Sequence, residues 1–90
     1  MKAIHVIEAF ESKQPAYAGN YHSDGKTLCL FGNPIAEHRE DGLYVTFAGW
    51  PTSTTAKALN WISGVSVSRR GGDISINGKT VETSLDWVKV

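Results

Sequence analysis

Gly49-Trp50-Pro51-Thr52-Ser53-Thr54-Thr55-Ala56-Lys57-Ala58-Leu59-Asn60-Trp61-Ile62 is the stretch on which the reading of this chain turns. On either side of it the apolar residues recur in steps of two, the period of a strand. Within it they fall at Ala58, Leu59 and Ile62, the period of a helix, with Thr55 at the head of that face. Pro51 suits a helix entry, the hydroxyls of Thr52, Ser53, Thr54 and Thr55 offer N-cap acceptors, and Ser63-Gly64 offers a left-handed exit. Gly49 makes the corner. The spacing predicts one helix over about 53–63.

Upstream, Ala3 to Phe10 reads as a central strand, because Ile4, Val6 and Ile7 are β-branched and both faces carry apolar groups. Tyr17 to His22 reads as a second strand, weakened by Gly19. Ser23-Asp24-Gly25-Lys26 is a tight turn, and Thr27 to Phe31 returns with Leu28 and Leu30 on one face and Cys29 and Phe31 on the other. Gly32-Asn33-Pro34 breaks the chain, Ile35 to Arg39 is short, and Glu40-Asp41-Gly42 is a further turn. Leu43 to Ala48 alternates cleanly. Downstream, Val65 and Val67, then Ile74 and Ile76, alternate with serines around Arg69-Arg70-Gly71-Gly72-Asp73. Asn77-Gly78 is a type I′ hairpin signal. Thr80 to Thr83 and Asp86 to Val90 complete the strands, with Leu85, Trp87 and Val88 assigned to the core.

The expected fold is α+β in a single domain, 1–90. It is a twisted, mostly antiparallel meander or half-barrel of about seven to nine short strands with one helix packed on it. One helix covers only part of such a sheet. The rest must curl on itself or meet a partner, and a homodimer is the expected closure.

Nine basic residues balance nine acidic ones, which disfavours a dedicated duplex binder and an acidic nucleic-acid mimic alike. A lone cysteine, Cys29, forms no intrachain disulfide and reads as a small core residue in a reducing compartment. No apolar run approaches the ~20 residues of a membrane span. His5, His22, His38, Cys29 and the carboxylates lack the spacing of a metal site, no serine sits in a nucleophile elbow, and no cofactor is expected.

Three features carry binding potential. The hydroxyls before the helix, Ser53 and Thr54 above all, exceed what capping consumes and stand beside Lys57, a setting for an anion. Arg69 and Arg70 sit at a hairpin tip, where forked donors reach a phosphate or an acidic surface. Trp50 and Trp61 are aromatic anchors, and Trp61 lies off the Ala58-Leu59-Ile62 face.

Tyr21-x-Ser23-x-Gly25 followed by Gly49-Trp50-x-x-Ser53-x-Thr55-x-x-x-Leu59-Asn60-x-Ile62 resembles a group of small bacteriophage and prophage proteins, over residues 17 to 62. The resemblance implies a phage origin and a small α+β fold, and carries over no catalytic residue. The expected function is a non-enzymatic protein, cytoplasmic in an infected bacterial host, that recognises and inhibits a host protein or defence complex in the manner of an anti-CRISPR. Its contacts would be Trp50, Ser53, Thr54, Lys57, Trp61, Arg69 and Arg70. The alternative is a module that binds single-stranded nucleic acid or a nucleotide through aromatics together with Lys57, Arg69 and Arg70.

Overall fold

The computed structural model describes residues 3–49, 52–70 and 73–90. In chain order the elements are α1 (Ala3–Glu11), β1 (Pro15–Ala18), β2 (Tyr21–Asp24), β3 (Thr27–Leu30), β4 (Asn33–Arg39), β5 (Gly42–Val45), α2 (Ser53–Asn60), β6 (Val67–Arg70), β7 (Asp73–Ile76), β8 (Lys79–Val81) and β9 (Val88–Lys89). Six strands form one sheet in the order β1-β2-β3-β4-β5-β9, and β6-β7-β8 form a second. Every pairing is antiparallel, and the larger sheet stays open at β1 and β9 rather than closing into a barrel. The fold is α+β, as the patterning predicts.

The N-terminal segment departs from expectation. Ala3 to Phe10 is helical, not a strand, so there are two helices among the described residues. Val6, Ile7 and Phe10 are fully buried while His5 and Glu8 face solvent. That is the 3.6-residue period, and over nine residues it outweighs the strand preference of Ile4, Val6 and Ile7. Beyond Glu11 the chain closes a Schellman motif: the Gln14 amide donates to the Ala9 carbonyl (2.8 Å) and the Lys13 amide to that of Phe10 (2.9 Å). Lys13 takes the left-handed position, φ 58°, where glycine is usual.

The expected strand 17–22 is a hairpin. Gly19, at φ 57°, turns the chain between β1 and β2, with Ala18 paired to Tyr21. Pro15 begins the edge strand β1, a place where its missing N–H does no harm. Between β3 and β4 the register slips: Leu28 pairs with Ala36 but Cys29 with Pro34, leaving Ile35 as a bulge. Ile35 and Ala36 are therefore both buried, which strict alternation forbids.

One face of the six-stranded sheet carries the row Ala16, Ser23, Leu28, Ala36, Val45 and Val88, read across the strands. Val6, Ile7 and Phe10 of α1 and Ala58, Leu59 and Ile62 of α2 join it in one buried cluster, together with Phe47, Val65, Val67, Ile74 and Ile76. α1 packs on β1, β2 and β3, whereas α2 packs on β4 and β6. Asn60 bolts the second sheet to α2. Its side-chain oxygen accepts from the Val67 amide (2.8 Å) and its amide donates to the Val67 carbonyl (3.2 Å), as a neighbouring strand would.

The C-terminal segment is looser than its composition suggests. Leu85, assigned to the core from sequence, is 66% exposed, and only Val88–Lys89 pair as a strand. Trp87 and Val88 are half-buried. Cys29 is half-buried on the sheet face opposite the helices, not in the core.

Candidate functional site: a cleft at the start of the second helix

The hydroxyls ahead of α2 divide as helix chemistry requires. Thr52 is the N-cap, with extended φ and ψ of −98° and 163°, and its Oγ1 accepts from the Thr55 amide at 3.3 Å. The hydroxyls of Thr52 and Thr55 lie 3.2 Å apart, and Thr55 is buried. Capping thus consumes two of the four. Ser53 and Thr54 remain exposed on the first turn, whose leading N–H groups have no intrahelical partner.

Between this turn and the β3–β4 hairpin lies a cleft of about 250 Å³. Its walls are Leu30, Ile35, Phe47 and Ala48, with Phe31 on the rim. Asn33, Thr52, Thr54 and Thr55 supply the polar groups, and among the described residues no acidic side chain lines it. The space corresponds to roughly eight waters and falls below the ~300 Å³ from which small-molecule pockets usually begin. One or two side chains fit it better than a cofactor does.

Phe31 is the residue that sequence reading overlooked. It is 62% exposed and sits at φ 54°, followed by Gly32 at φ 78°. Leu30 pairs with Asn33, so the two form a two-residue loop with both positions left-handed. The β7–β8 loop repeats that geometry with Asn77 at φ 50° and Gly78 at φ 82°, the residues such a turn favours. Folding alone would place asparagine or glycine at position 31. A bulky aromatic there raises the energy of the turn by about 1–2 kcal/mol and leaves most of its ring in water. The signal was available: a Phe-Gly pair at a hairpin apex, next to a strand that had already supplied its inward residues.

From Thr54 the exposed face of α2 runs through Lys57 to Trp61, at helical spacings of three and four. The Lys57 ammonium lies 5.3 Å from the Trp61 ring centroid, a cation–π contact, and Trp61 is 37% exposed. Ser53, Thr54, Lys57 and Trp61 therefore share one helix surface, of which Thr54 lines the cleft. Trp50 and Pro51 lie outside the described residues, as do Gly71 and Gly72 of the hairpin tip. Arg69 and Arg70 fall on opposite faces of β6. Successive strand residues face opposite ways, so Arg69 shares the face of Ile74 and Val81 while Arg70 pairs across from Asp73 on the other. Beside Arg70 and Asp73, the outer face of this small sheet carries Ser68, Ser75 and Thr80 around a shallow polar recess of about 430 Å³.

Charge is distributed unevenly along the chain. From Leu43 to Gly72 there is no acidic residue, and Lys57, Arg69 and Arg70 all fall in that stretch; all nine acidic residues lie outside it. α2 consequently begins with no carboxylate to offset its positive end. Glu11 approaches α2 only at its far end, where its carboxylate accepts from the Ser63 amide at 2.7 Å.

The outer face of the six-stranded sheet is uncovered by either helix and is internally satisfied. The Arg39 guanidinium lies 4.3 Å from the Tyr44 ring centroid and 5.0 Å from that of Trp87, and pairs with Glu37 at 2.9 Å. The Tyr44 hydroxyl donates to Asp41 at 2.8 Å, which raises the phenol's pKa and lowers the carboxyl's. Burial, seconded by the charge of Asp24, pushes the Cys29 thiol up, away from thiolate reactivity. His38 lies in β4 with Nε2 2.8 Å from the Phe10 carbonyl and its ring stacked on that of Phe10. No three potential metal ligands cluster among the described residues.

Several residues of the phage resemblance, Ser23, Gly25, Leu59, Asn60 and Ile62, turn out to hold the fold together. The fully buried Ser23 donates to the Gln14 carbonyl (2.9 Å) and accepts from the Gly25 amide (3.1 Å), tying the exit of α1 to the β2–β3 hairpin. Gly25, at φ 94°, lies so close to the Lys13 carbonyl that a Cβ would stand 2.9 Å from its oxygen. Leu59, Asn60 and Ile62 are the packing and bridging residues of α2. The chain matches the model of the family described as Kyanoviridae Gp96 protein over residues 1–89, and it belongs to that phage protein family. No curated protein and no solved structure matches it.

Proposed function

We propose that this member of the Kyanoviridae Gp96 family is a non-enzymatic binding protein that recognises and inhibits a host protein, through the surface formed by the cleft, Phe31 and the Thr54-Lys57-Trp61 face of α2. The observation that carries the reading is Phe31: an exposed aromatic held in a backbone conformation that the hairpin alone would not select, on the rim of an apolar cleft. Strain retained without a folding benefit points to use, and aromatic anchors beside a desolvated pocket are the residues that dominate protein interfaces.

The nucleic-acid alternative has less support. It calls for open ring faces beside Lys57, Arg69 and Arg70, yet Tyr44 and Trp87 are covered by Arg39, and the two arginines face opposite ways. An oligonucleotide titration at low salt, followed by tryptophan fluorescence, separates the two readings.

The direct test places a photo-cross-linking side chain at position 31 and, as control, at Glu40 on the far hairpin. In host cells the first site should give one discrete adduct that untagged protein competes away, and the purified adduct partner should lose activity at stoichiometric addition. Equal adducts from both sites, or none from position 31, would remove the proposal.

A further inference from the structure

Two strained backbone positions meet at the cleft, and they are held by different parts of the chain. Among the described residues the non-glycine left-handed positions are Lys13, Phe31, Ala48 and Asn77. Lys13 and Asn77 stand where a helix exit and a two-residue hairpin call for that conformation. Phe31 and Ala48 both line the cleft. Phe31 is strained by its own hairpin. Ala48, at φ 54°, follows the end of β5 and is tied to a segment far along the chain.

That segment is the connection from β8 to β9, residues 82–87, which crosses from the small sheet to the edge of the large one. Its Ser84 carbonyl accepts from the Thr46 hydroxyl (3.3 Å) and from the Gly49 amide (3.0 Å). The same Thr46 hydroxyl accepts from the Ala48 amide (3.1 Å). Leu85 covers Gly49, where a Cβ would stand 3.1 Å from the leucine Cδ2. One hydroxyl therefore joins this strap to the cleft wall, and Thr46 is buried, so water does not replace a lost partner. Other bonds of the strap close on itself: the Asp86 amide donates to the Thr83 carbonyl (3.1 Å) and the Leu85 amide to Thr83 Oγ1 (3.3 Å).

We infer that residues 82–87 are a latch on the cleft. Closed, the strap holds Ala48 left-handed and so sets the wall that Phe47 and Ala48 present. Open, the strap lifts as a preformed turn, Ala48 relaxes to an ordinary backbone conformation, and that wall is withdrawn. The strain released at Ala48 lowers the cost of opening. Coupling runs both ways: a side chain seated in the cleft holds the strap shut, and a contact that draws on the exposed Leu85 empties the cleft. The use of the latch rests on the binding reading above; its mechanics rest on these bonds.

The test is hydrogen exchange and methyl NMR on the full chain with Thr46→Val, Thr46→Ser and Ala48→Gly. The Gly49 amide, whose acceptor none of these substitutions deletes, reports opening of the strap, and the amide of buried Leu59 reports global unfolding. Thr46→Val should speed Gly49 exchange about tenfold relative to Leu59. It should also shift the methyl signals of Leu30 and Thr54 across the cleft, whereas Thr46→Ser keeps the hydroxyl and leaves both readouts near native. Ala48→Gly should slow Gly49 exchange several-fold, because glycine removes the strain that opening would release. Thr46→Val effects confined to residues 46–49 and 82–87, or a Gly49 rate unmoved by Ala48→Gly, overturns the inference. The glycine variant decides it even where the valine variant fails to fold. These readouts need no partner, so failure of the position-31 adduct would remove the binding reading and leave the latch standing.

Discussion

Thr54→Glu should make the protein more stable while weakening its binding surface. Thr54 is the second residue of α2, exposed, in a helix whose first turn has no acidic residue. A helix start behaves as roughly half a positive charge. A carboxylate about 5 Å away gains ~0.4 kcal/mol at the dielectric of water and ~1.7 kcal/mol at that of a protein surface. Full exposure favours the lower end, and Lys57, three residues on, adds a few tenths. The net expectation is about 0.5 kcal/mol, or a rise of roughly 2–4 °C in Tm for a domain of this size. The introduced carboxylate has its pKa depressed when folded, so the gain is present above the ordinary glutamate value of ~4.3 and is lost as pH falls through the depressed value. Thermal melts in low salt, in high salt and at acid pH, with Thr54→Gln beside them, read each component. A Thr54→Gln variant that rises as much, or a Thr54→Glu gain that survives acid and high salt, refutes the charge argument.

Other perturbations probe the fold. Gly25→Ala should destabilise by about 2 kcal/mol in urea unfolding, because its Cβ meets the Lys13 carbonyl and its φ is left-handed; Lys13→Gly should stabilise by about 1 kcal/mol, and equal midpoints would undo both claims. Asn60→Ala should lose about 2 kcal/mol, with hydrogen exchange accelerated first in β6, since Val67 is left without two partners; uniform exchange would contradict the bridging role. Phe31→Asn should be about 1 kcal/mol more stable than Phe31→Ala, since both lack the ring and only asparagine tolerates the turn; equal stabilities would mean the turn is unstrained. Asp24 accepts from the Thr27 and Lys26 amides, which lowers its carboxyl pKa from 3.8, so its contribution is present above that value and lost as pH falls below it. Asp24→Asn should shrink the loss of urea midpoint between pH 7 and pH 3, and an unchanged loss would contradict this.

Most of the architecture was legible because most of it is governed by local chemistry. Asn77-Gly78, Asp24-Gly25 and the hydroxyl run Thr52 to Thr55 each announce a turn or a helix start, and the antiparallel pairing follows from short connections. The errors arose where two patterns overlap. Ala3 to Phe10 fits β-branched preference residue by residue, yet Val6, Ile7 and Phe10 fit a helix face as a set, and burial acts on the set. Ile35 defeats alternation because a bulge is a property of two paired strands, invisible in either one. The Tyr21-x-Ser23-x-Gly25 motif could be recognised but not interpreted, since its partners, Lys13 and Gln14, form the exit of a helix that the strand reading had removed.

The site was half legible for a related reason. Ser53, Thr54, Lys57 and Trp61 share a helix face, which spacing alone establishes, and the structure keeps them together. Arg69 and Arg70 are adjacent in sequence and therefore opposed in space, the usual consequence of a strand period. Phe31 is adjacent to nothing in sequence that hints at α2, and reaches it only through the β3–β4 hairpin. Its importance rests on a comparison within the molecule: two loops share one backbone geometry, Asn77-Gly78 and Phe31-Gly32, and only the first has the residue that geometry selects. A sequence shaped by stability alone would have made the loops alike. The difference between them marks where stability yields to another demand, and the cleft beside Phe31 marks where that demand acts.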